Sequence, residues 1–255
     1  MLGYPVRCSL NSNANKTPIA IGISQIFPCS YLEDQQEQLL VIQEETLDPI
    51  LFERLLAIGF RRSGSAIYKP RCPRCSACQP IRLPVREFIP SKRQKRTLAN
   101  NRDLTWRITS SQTDEQYTLY ERYIRQRHFD GPMFPPSKEQ YEQFLFCHWL
   151  PPTFIEVYAG NKLIAVAVTD TLPNSLSAIY SYFDPDEAHR SLGVLLILIQ
   201  CRLAKLQRKE FLYLGYQIDA NRKMSYKRLY RPYQILTPKG GSIPKFAKYF
   251  PFTAR

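Results

Sequence analysis

The chain has 255 residues, 44% hydrophobic and 13% aromatic, and 35 lysines and arginines against 22 acidic residues give it a net charge of +13. That length can bury a sizeable core in one or two domains, and the basic excess excludes an acidic disordered protein and favours an anionic partner. Seven cysteines do not make a disulfide scaffold, the longest apolar run (Val194 to Ile199) is too short to cross a bilayer, and Met1 to Ile26 lacks a secretory signal, which together read as a soluble, reduced, cytoplasmic protein.

In chain order, Cys8 to Thr17 is polar and reads as part of a mobile N-terminal segment, residues 1–24. Gln38 to Gln43 reads as a strand, and Asp48 to Ile58 as an amphipathic helix stopped by Gly59. Ser65 to Lys69 and Pro80 to Phe88 read as strands on either side of a cysteine-rich turn, completing a small lobe over 25–90. Ser91 with Gln94, Thr113 with Gln116 and Ser137 with Gln140 are three capping boxes, each opening a helix. Thr153 to Tyr158, Leu163 to Thr171 and Leu176 to Phe183 read as strands, separated by the turn residues Ala159-Gly160-Asn161 and Pro173-Asn174-Ser175. A buried helix from Ser191 to about Gln207 and a strand from Phe211 to Gly215 follow, and residues 241–255 read as a basic tail. Antiparallel strands, a helix and one more strand predict an α+β fold, a mostly antiparallel sheet with flanking helices over 91–240.

The cations are concentrated. Arg61 to Arg107 carries thirteen basic residues against Glu87 and Asp103, and Asn221 to Arg255 carries nine with no acid. Two such blocks fit a nucleic acid, or simply two solvated faces. Lys92, Arg93, Lys95 and Arg96 crowd the start of a helix, where they oppose its dipole; a phosphate backbone would offset that.

Cys72-Pro-Arg-Cys75-Ser-Ala-Cys78 spaces three thiols so that they could share a zinc ion or an iron–sulfur cluster, with Cys29 as a fourth ligand; equally, they could be reduced thiols in a basic turn. Ser191, Leu192 and Gly193 bring free amides to a helix start, where an anion or polarised carbonyl could sit. Tyr180, Tyr182, Asp184 and Asp186 cluster phenols and carboxylates at a strand end. Arg222, Lys223, Tyr226 and Lys227 alternate cations with tyrosines and could stack on bases or hold a carboxylate. P-loop, Gly-x-Gly-x-x-Gly, Gly-x-Ser-x-Gly and His-Glu-x-x-His patterns are all missing from the sequence, so nucleotide hydrolysis and the common hydrolase classes have no support.

Several of these segments occur together in one known family. Cys29-Ser-Tyr-Leu32, Gly59-Phe-Arg-Arg-Ser-Gly64, Tyr68 through Val85, Pro90 through Arg96, Ala165 through Asp170, Leu176 through Tyr180, Phe183-Asp-Pro-Asp186, Arg190-Ser-Leu-Gly193, Tyr213-Leu-Gly-Tyr216 and Lys223 through Lys227 resemble the arginyl-tRNA–protein transferases, in the order and spacing of their short bacterial branch. The resemblance runs from about Cys29 to Arg231. It implies a GNAT-like acyltransferase lobe and an N-end rule enzyme that moves an aminoacyl group, leucine in the bacterial branch, from its tRNA to proteins beginning with Asp or Glu. Aminoacyl-tRNA would be the co-substrate, no further cofactor would be required, and no membrane would be involved. On that footing Asp184 or Asp186 is the expected base or amine-orienting group, with Tyr180 and Tyr182 nearby. Ser191, Leu192 and Gly193 would hold the donor end and its oxyanion, while Arg222, Lys223, Tyr226 and Lys227 would read the acceptor carboxylate. Lys92, Arg93, Lys95 and Arg96 would hold the tRNA. Arginine as the transferred residue, a small-molecule acetyltransferase and a non-catalytic RNA-binding module are the competing readings.

Overall fold

A computed structural model describes residues 19–42, 47–237 and 245–249. Most of the polar N-terminal segment and the last part of the basic tail lie outside the described residues. Four strands form a first, small sheet: β1 (Ile21–Ile23), β4 (Leu39–Ile42), β6 (Ala66–Pro70) and β5 (Arg61–Ser63), in that spatial order, while β2 (Phe27–Pro28) and β3 (Gln36–Glu37) pair beside it. Ile21 to Ile23, within the span expected to be mobile, is thus a paired strand. Helix α1 (Pro49–Ala57) starts where Asp48 Oδ1 accepts from the Leu51 amide at 2.7 Å and proline fills the first helical position, which needs no amide donor. Phe52, Leu55 and Leu56 bury its inner face with Ile42 and Ile67.

An eight-stranded sheet makes up the rest. Its members in chain order are β7 (Gln79–Pro84), β8 (Leu104–Thr109), β9 (Thr153–Ala159), β10 (Lys162–Thr171), β11 (Ser175–Phe183), β12 (Phe211–Gln217), β13 (Tyr233–Thr237) and β14 (Lys245–Tyr249), arranged β14-β13-β7-β12-β11-β10-β9-β8. Strand β7, grouped by the sequence with the small lobe, is an inner strand of this sheet, between β13 and β12. Lys245–Tyr249, expected as part of a tail, pairs with β13. Along β9 and β10 the two faces alternate except at a bulge, where the adjacent Ile164 and Ala165 lie in the same core. Ile155, Val157, Ala165 and Ala167 face helix α5 (Leu192–Leu206), and Phe154, Val166 and Val168 face helices α3 (Asp114–Arg127) and α4 (Lys138–Leu145). Burying both faces explains why these strands read as nearly continuous apolar runs.

Helix α2 (Lys92–Asn100) and α3 have complete capping boxes. At α4 only half of the expected box forms: Ser137 Oγ accepts from the Gln140 amide at 3.1 Å, and the glutamine does not reach back. A short helix, α6 (Arg222–Ser225), follows β12. Among the described residues, no helix is long and apolar enough to cross a membrane.

One neighbouring pair in the large sheet is parallel. Strands β11 and β12, joined through α5, pair only at Ser175–Phe211, Leu176–Leu212 and Ser177–Tyr213. Beyond those three pairs both strands continue unpaired to each other. The divergence has a local cause. Both strands are irregular there: Gly215 has φ +75° and the register of β12 against β7 shifts between Tyr213 and Tyr216, while β11 skips Ile179 against β10.

Candidate active site

The wedge between β11 and β12 widens into a cavity of about 1080 Å³. Ser177 to Ser181 and Phe183 line one wall, with Ser191 to Val194 at the start of α5; Leu214 to Tyr216 line the other, with Lys223, Met224, Tyr226 and Lys227 above it. The small lobe closes one end with Arg61, Tyr68 and the segment Cys29 to Leu32, and the aromatic side chains of Tyr123, His128 and Phe144 line the cavity together with Met133.

Ser191 stands at the expected start of α5. It does not cap: its side chain makes no cap bond, and its backbone is left-handed at φ 55°, ψ 46°. That turn aims the chain so that the Leu192 and Gly193 amides stand ahead of the first intrahelical bond, beside the cavity. A side chain at Gly193 would meet only the Phe183 ring, at 3.5 Å. The turn is held from below. Arg190 pairs with Glu187 at 2.8 Å and Asp103 at 3.0 Å, and the Asn101 amide nitrogen donates to the Arg190 carbonyl at 2.9 Å.

Asp184 and Asp186 sit outside the cavity lining. The Asp184 carboxylate is buried and held by Lys162 at 2.7 Å, Arg122 at 3.2 Å and the Asp186 amide at 3.1 Å. Burial pushes its pKa up, but those partners outweigh burial and leave it below the ordinary value. Asp186 is exposed and pairs with Arg122. This arrangement departs from the expected base: a low-pKa carboxylate already occupied by two cations is a weak proton acceptor. Tyr182 is fully buried against Tyr141, hydroxyl to hydroxyl at 2.7 Å, and also lies off the lining. Tyr180 does line the cavity, and burial raises its pKa, so its hydroxyl stays protonated.

The four residues expected to read a carboxylate separate. Arg222 is exposed and off the lining; Lys223 lines the rim and lies 3.8 Å from Asp130; Tyr226 lines the cavity. Lys227 turns inward, and its ammonium donates to the Tyr216 carbonyl at 2.5 Å. Burial is the main cause that brings its pKa down to about 7, with the Arg61 charge adding to it.

Arg61 is a site residue that sequence reasoning misses, though it stands within a family-like segment, Gly59 to Gly64. It is 5% exposed, donates to the carbonyls of Phe60 at 2.6 Å, Leu56 at 3.3 Å and Gly215 at 3.1 Å, and lies between the Tyr213 and Tyr216 rings at 5.3 and 5.2 Å. Two adjacent arginines between glycines, with no acid nearby in the chain, are the available signal.

Cys29, Cys72, Cys75 and Cys78 are free thiols that line the same end of the cavity. Burial, then the neighbouring Cys72, Cys29 and Cys75, push the Cys78 thiol up to about 12. No group of three or more metal-ligating side chains among the described residues is arranged to hold an ion. The cationic quartet on α2 is fully outward: Lys92, Arg93, Lys95 and Arg96 are exposed while Gln94 and Thr97 are buried. The helix contacts the segments on both sides of the wedge, through Asn101 to Arg190, next to Ser191, and through the Gln94 side chain to the Leu229 carbonyl at 3.4 Å, two residues beyond Lys227.

The chain is similar to known proteins over most of its length. Residues 27–96 match the family model for the N terminus of arginine-tRNA-protein transferase, and residues 115–237 match the model for its C terminus. An aspartate/glutamate leucyltransferase of Shewanella putrefaciens (strain CN-32) is 99% identical over 231 residues, 91% of this chain and 98% of that protein. One from Aeromonas salmonicida (strain A449) is 51% identical over 219 residues, 86% of this chain and 92% of that protein. Among solved structures, L-PGS from Bacillus licheniformis aligns over 59% of this chain and 48% of its own, at 11% identity and a TM-score of 0.44.

Proposed function

Because this chain belongs to the arginine-tRNA-protein transferase family, and so is an aminoacyl-tRNA–protein transferase, we propose that it moves leucine from leucyl-tRNA to the α-amino group of proteins beginning with Asp or Glu, marking them for N-end rule degradation. The observation that carries the reading is the wedge itself. Helix-start amides stand on one side of it, and two cations without acid partners among the described residues, Arg61 and Lys227, stand on the other. The names of the close relatives supply the donor and acceptor.

An aminoacyl ester is already activated, so amide formation needs no nucleotide. In the reaction the acceptor nitrogen attacks the ester carbonyl carbon, and the C–N bond forms. The carbonyl oxygen becomes an oxyanion facing the Leu192 and Gly193 amides, whose position at the helix start favours negative charge. The bond to the terminal ribose oxygen of the tRNA then breaks, and the proton lost by nitrogen ends on that oxygen. The Tyr180 hydroxyl, protonated and within the cavity, is the side chain suited to relay it. An α-ammonium group has a pKa of about 7.7–8.0. Cations beside it favour its neutral, nucleophilic form, so a strong base is unnecessary. Asp184 and Asp186 contribute by holding the turn that leads to Ser191. Met133, Phe144 and Ile179 give the leucyl side chain an apolar lining. The acceptor arm of the tRNA lies along the exposed cations of α2, whose helix contacts the segments on both sides of the wedge.

The test is direct transfer. Purified protein is incubated with labelled leucyl-tRNA or arginyl-tRNA and peptides starting with Asp, Glu, Lys or Ala. Leucine should pass to the Asp and Glu peptides only. Equal labelling of all four peptides, or a preference for arginine, would overturn the proposal.

A further inference from the structure

Arg61 and Lys227 hold consecutive carbonyls of β12, Gly215 and Tyr216, and so bring two cations to one spot at the closed end of the wedge. Neither has a carboxylate partner among the described residues, and Glu37, which lines the same cavity, pairs with neither. The contrast with the next residue is informative. Arg62 is equally buried, and its Nε and Nη2 are both taken by the Asp170 carboxylate, at 2.8 and 2.5 Å. Arg61 Nε is buried with no partner at all. A buried guanidinium without a counter-charge is unfavourable unless something anionic arrives to complete it.

We infer that Arg61, with Lys227, receives the side-chain carboxylate of the acceptor's first residue and so sets the requirement for Asp or Glu. The inference rests on the transferase reading above and names the residues that would carry its acceptor specificity. Three features favour a carboxylate over a tRNA phosphate. Arg61 is only 5% exposed, so the tip of a side chain reaches it where a phosphodiester flanked by two riboses does not. The planar fork of arginine matches a carboxylate, and a lysine one carbonyl further on can follow that carboxylate over the one-methylene difference between Asp and Glu. The outward cations of α2 already provide a surface for phosphates. Lys227, whose pKa burial brings down to about 7, gains a counter-ion when the acid binds and is then fully charged.

Steady-state transfer is measured with leucyl-tRNA and four peptides differing only in a first Asp, Glu, Asn or Gln, using the full chain and its Arg61→Gln, Arg61→Lys and Lys227→Met variants. The wild type should prefer Asp over Asn by roughly 100-fold or more in kcat/KM, the discrimination expected when an amide leaves a buried cation unpaired. Arg61→Gln should bring that ratio close to one, mainly through peptide KM and with leucyl-tRNA KM unchanged, while Arg61→Lys should retain part of it. A wild-type ratio in Arg61→Gln overturns the inference. So does a variant whose leucyl-tRNA KM rises while its peptide KM and its ratio stay put, since the site would then hold a phosphate. Arg61 also braces three carbonyls, so if its variants fail to fold, Lys227→Met decides: a lower Asp/Asn ratio supports the inference and an unchanged ratio overturns it. Wild-type protein that transfers leucine to none of the four peptides would instead sink the transferase reading, a distinct result.

Discussion

Arg62 and Asp170 meet through two parallel hydrogen bonds, with neither side chain exposed to solvent, and join β5 of the small sheet to β10 of the large one. Arg62 also donates to the Leu145 carbonyl at 2.9 Å, at the end of α4. Asp170→Asn would leave a buried guanidinium without its counter-charge, and we expect it to destabilise the protein by about 3–5 kcal/mol. Denaturant unfolding checks this. Replacing both partners with apolar residues of similar size should recover much of the loss, because the desolvation of two charges is then avoided.

The cations of α2 should govern affinity for tRNA and little else. Reversing Lys92, Arg93, Lys95 and Arg96 to acids should raise KM for leucyl-tRNA and leave peptide KM unchanged. The salt dependence of tRNA binding should flatten by roughly 0.7–0.9 in log–log slope for each phosphate that the protein no longer neutralises. An unchanged slope would mean that the tRNA lies elsewhere.

Two glycines with the same backbone conformation should respond differently to alanine. Gly64 and Gly160 both have φ +58°, but a Cβ on Gly64 would stand 2.0 Å from the Gln143 carbonyl oxygen, whereas one on Gly160 would meet nothing within 4 Å. Gly160→Ala should cost roughly 1–2 kcal/mol, the left-handed penalty alone. Gly64→Ala should cost about 1–3 kcal/mol beyond that, for the displacement of α4 from the small lobe. Thermal or urea unfolding of the two variants measures the difference.

Lys227 gives a pH dependence with a definite sign. Its pKa is about 7 in the folded chain, against an ordinary value of 10.5. Between those values the unfolded chain binds the proton and the folded chain does not, so stability gains from this group as pH rises from about 7 toward 10.5. Below 7 both states carry the charge, and the full penalty of burying it is felt. Stability of the wild type relative to Lys227→Met should therefore rise with pH through that window. A flat difference would show that the ammonium is better solvated than its position at the Tyr216 carbonyl implies.

Much of the scaffold is legible in the chain. Short-range chemistry fixes the starts of α1, α2 and α3, because a capping side chain and the amide it serves are neighbours in sequence. The short apolar runs from Thr153 to Phe183, broken at Ala159-Gly160-Asn161 and Pro173-Asn174-Ser175, foretell three strands because turn residues punctuate the chain where a hairpin must reverse it. The family segments likewise point to aminoacyl transfer and to the turn at Arg190 to Gly193. Other features depend on partners far along the chain. Strand β7 belongs to the large sheet because Ile81 and Leu83 find their partners on β12 and β13, more than a hundred residues away in sequence, and no local pattern records that. Asp184 reads as a free base in the sequence, and only the fold brings Lys162 and Arg122 to hold it. Arg61 and Arg62 are alike in sequence, yet one is neutralised by an aspartate 108 residues away and the other is left open to the wedge. Local sequence thus determines which segments become helix or strand. Which charges are paired, and which remain to meet a substrate, is decided only when the chain folds back on itself, because electrostatic pairing depends on distance in space.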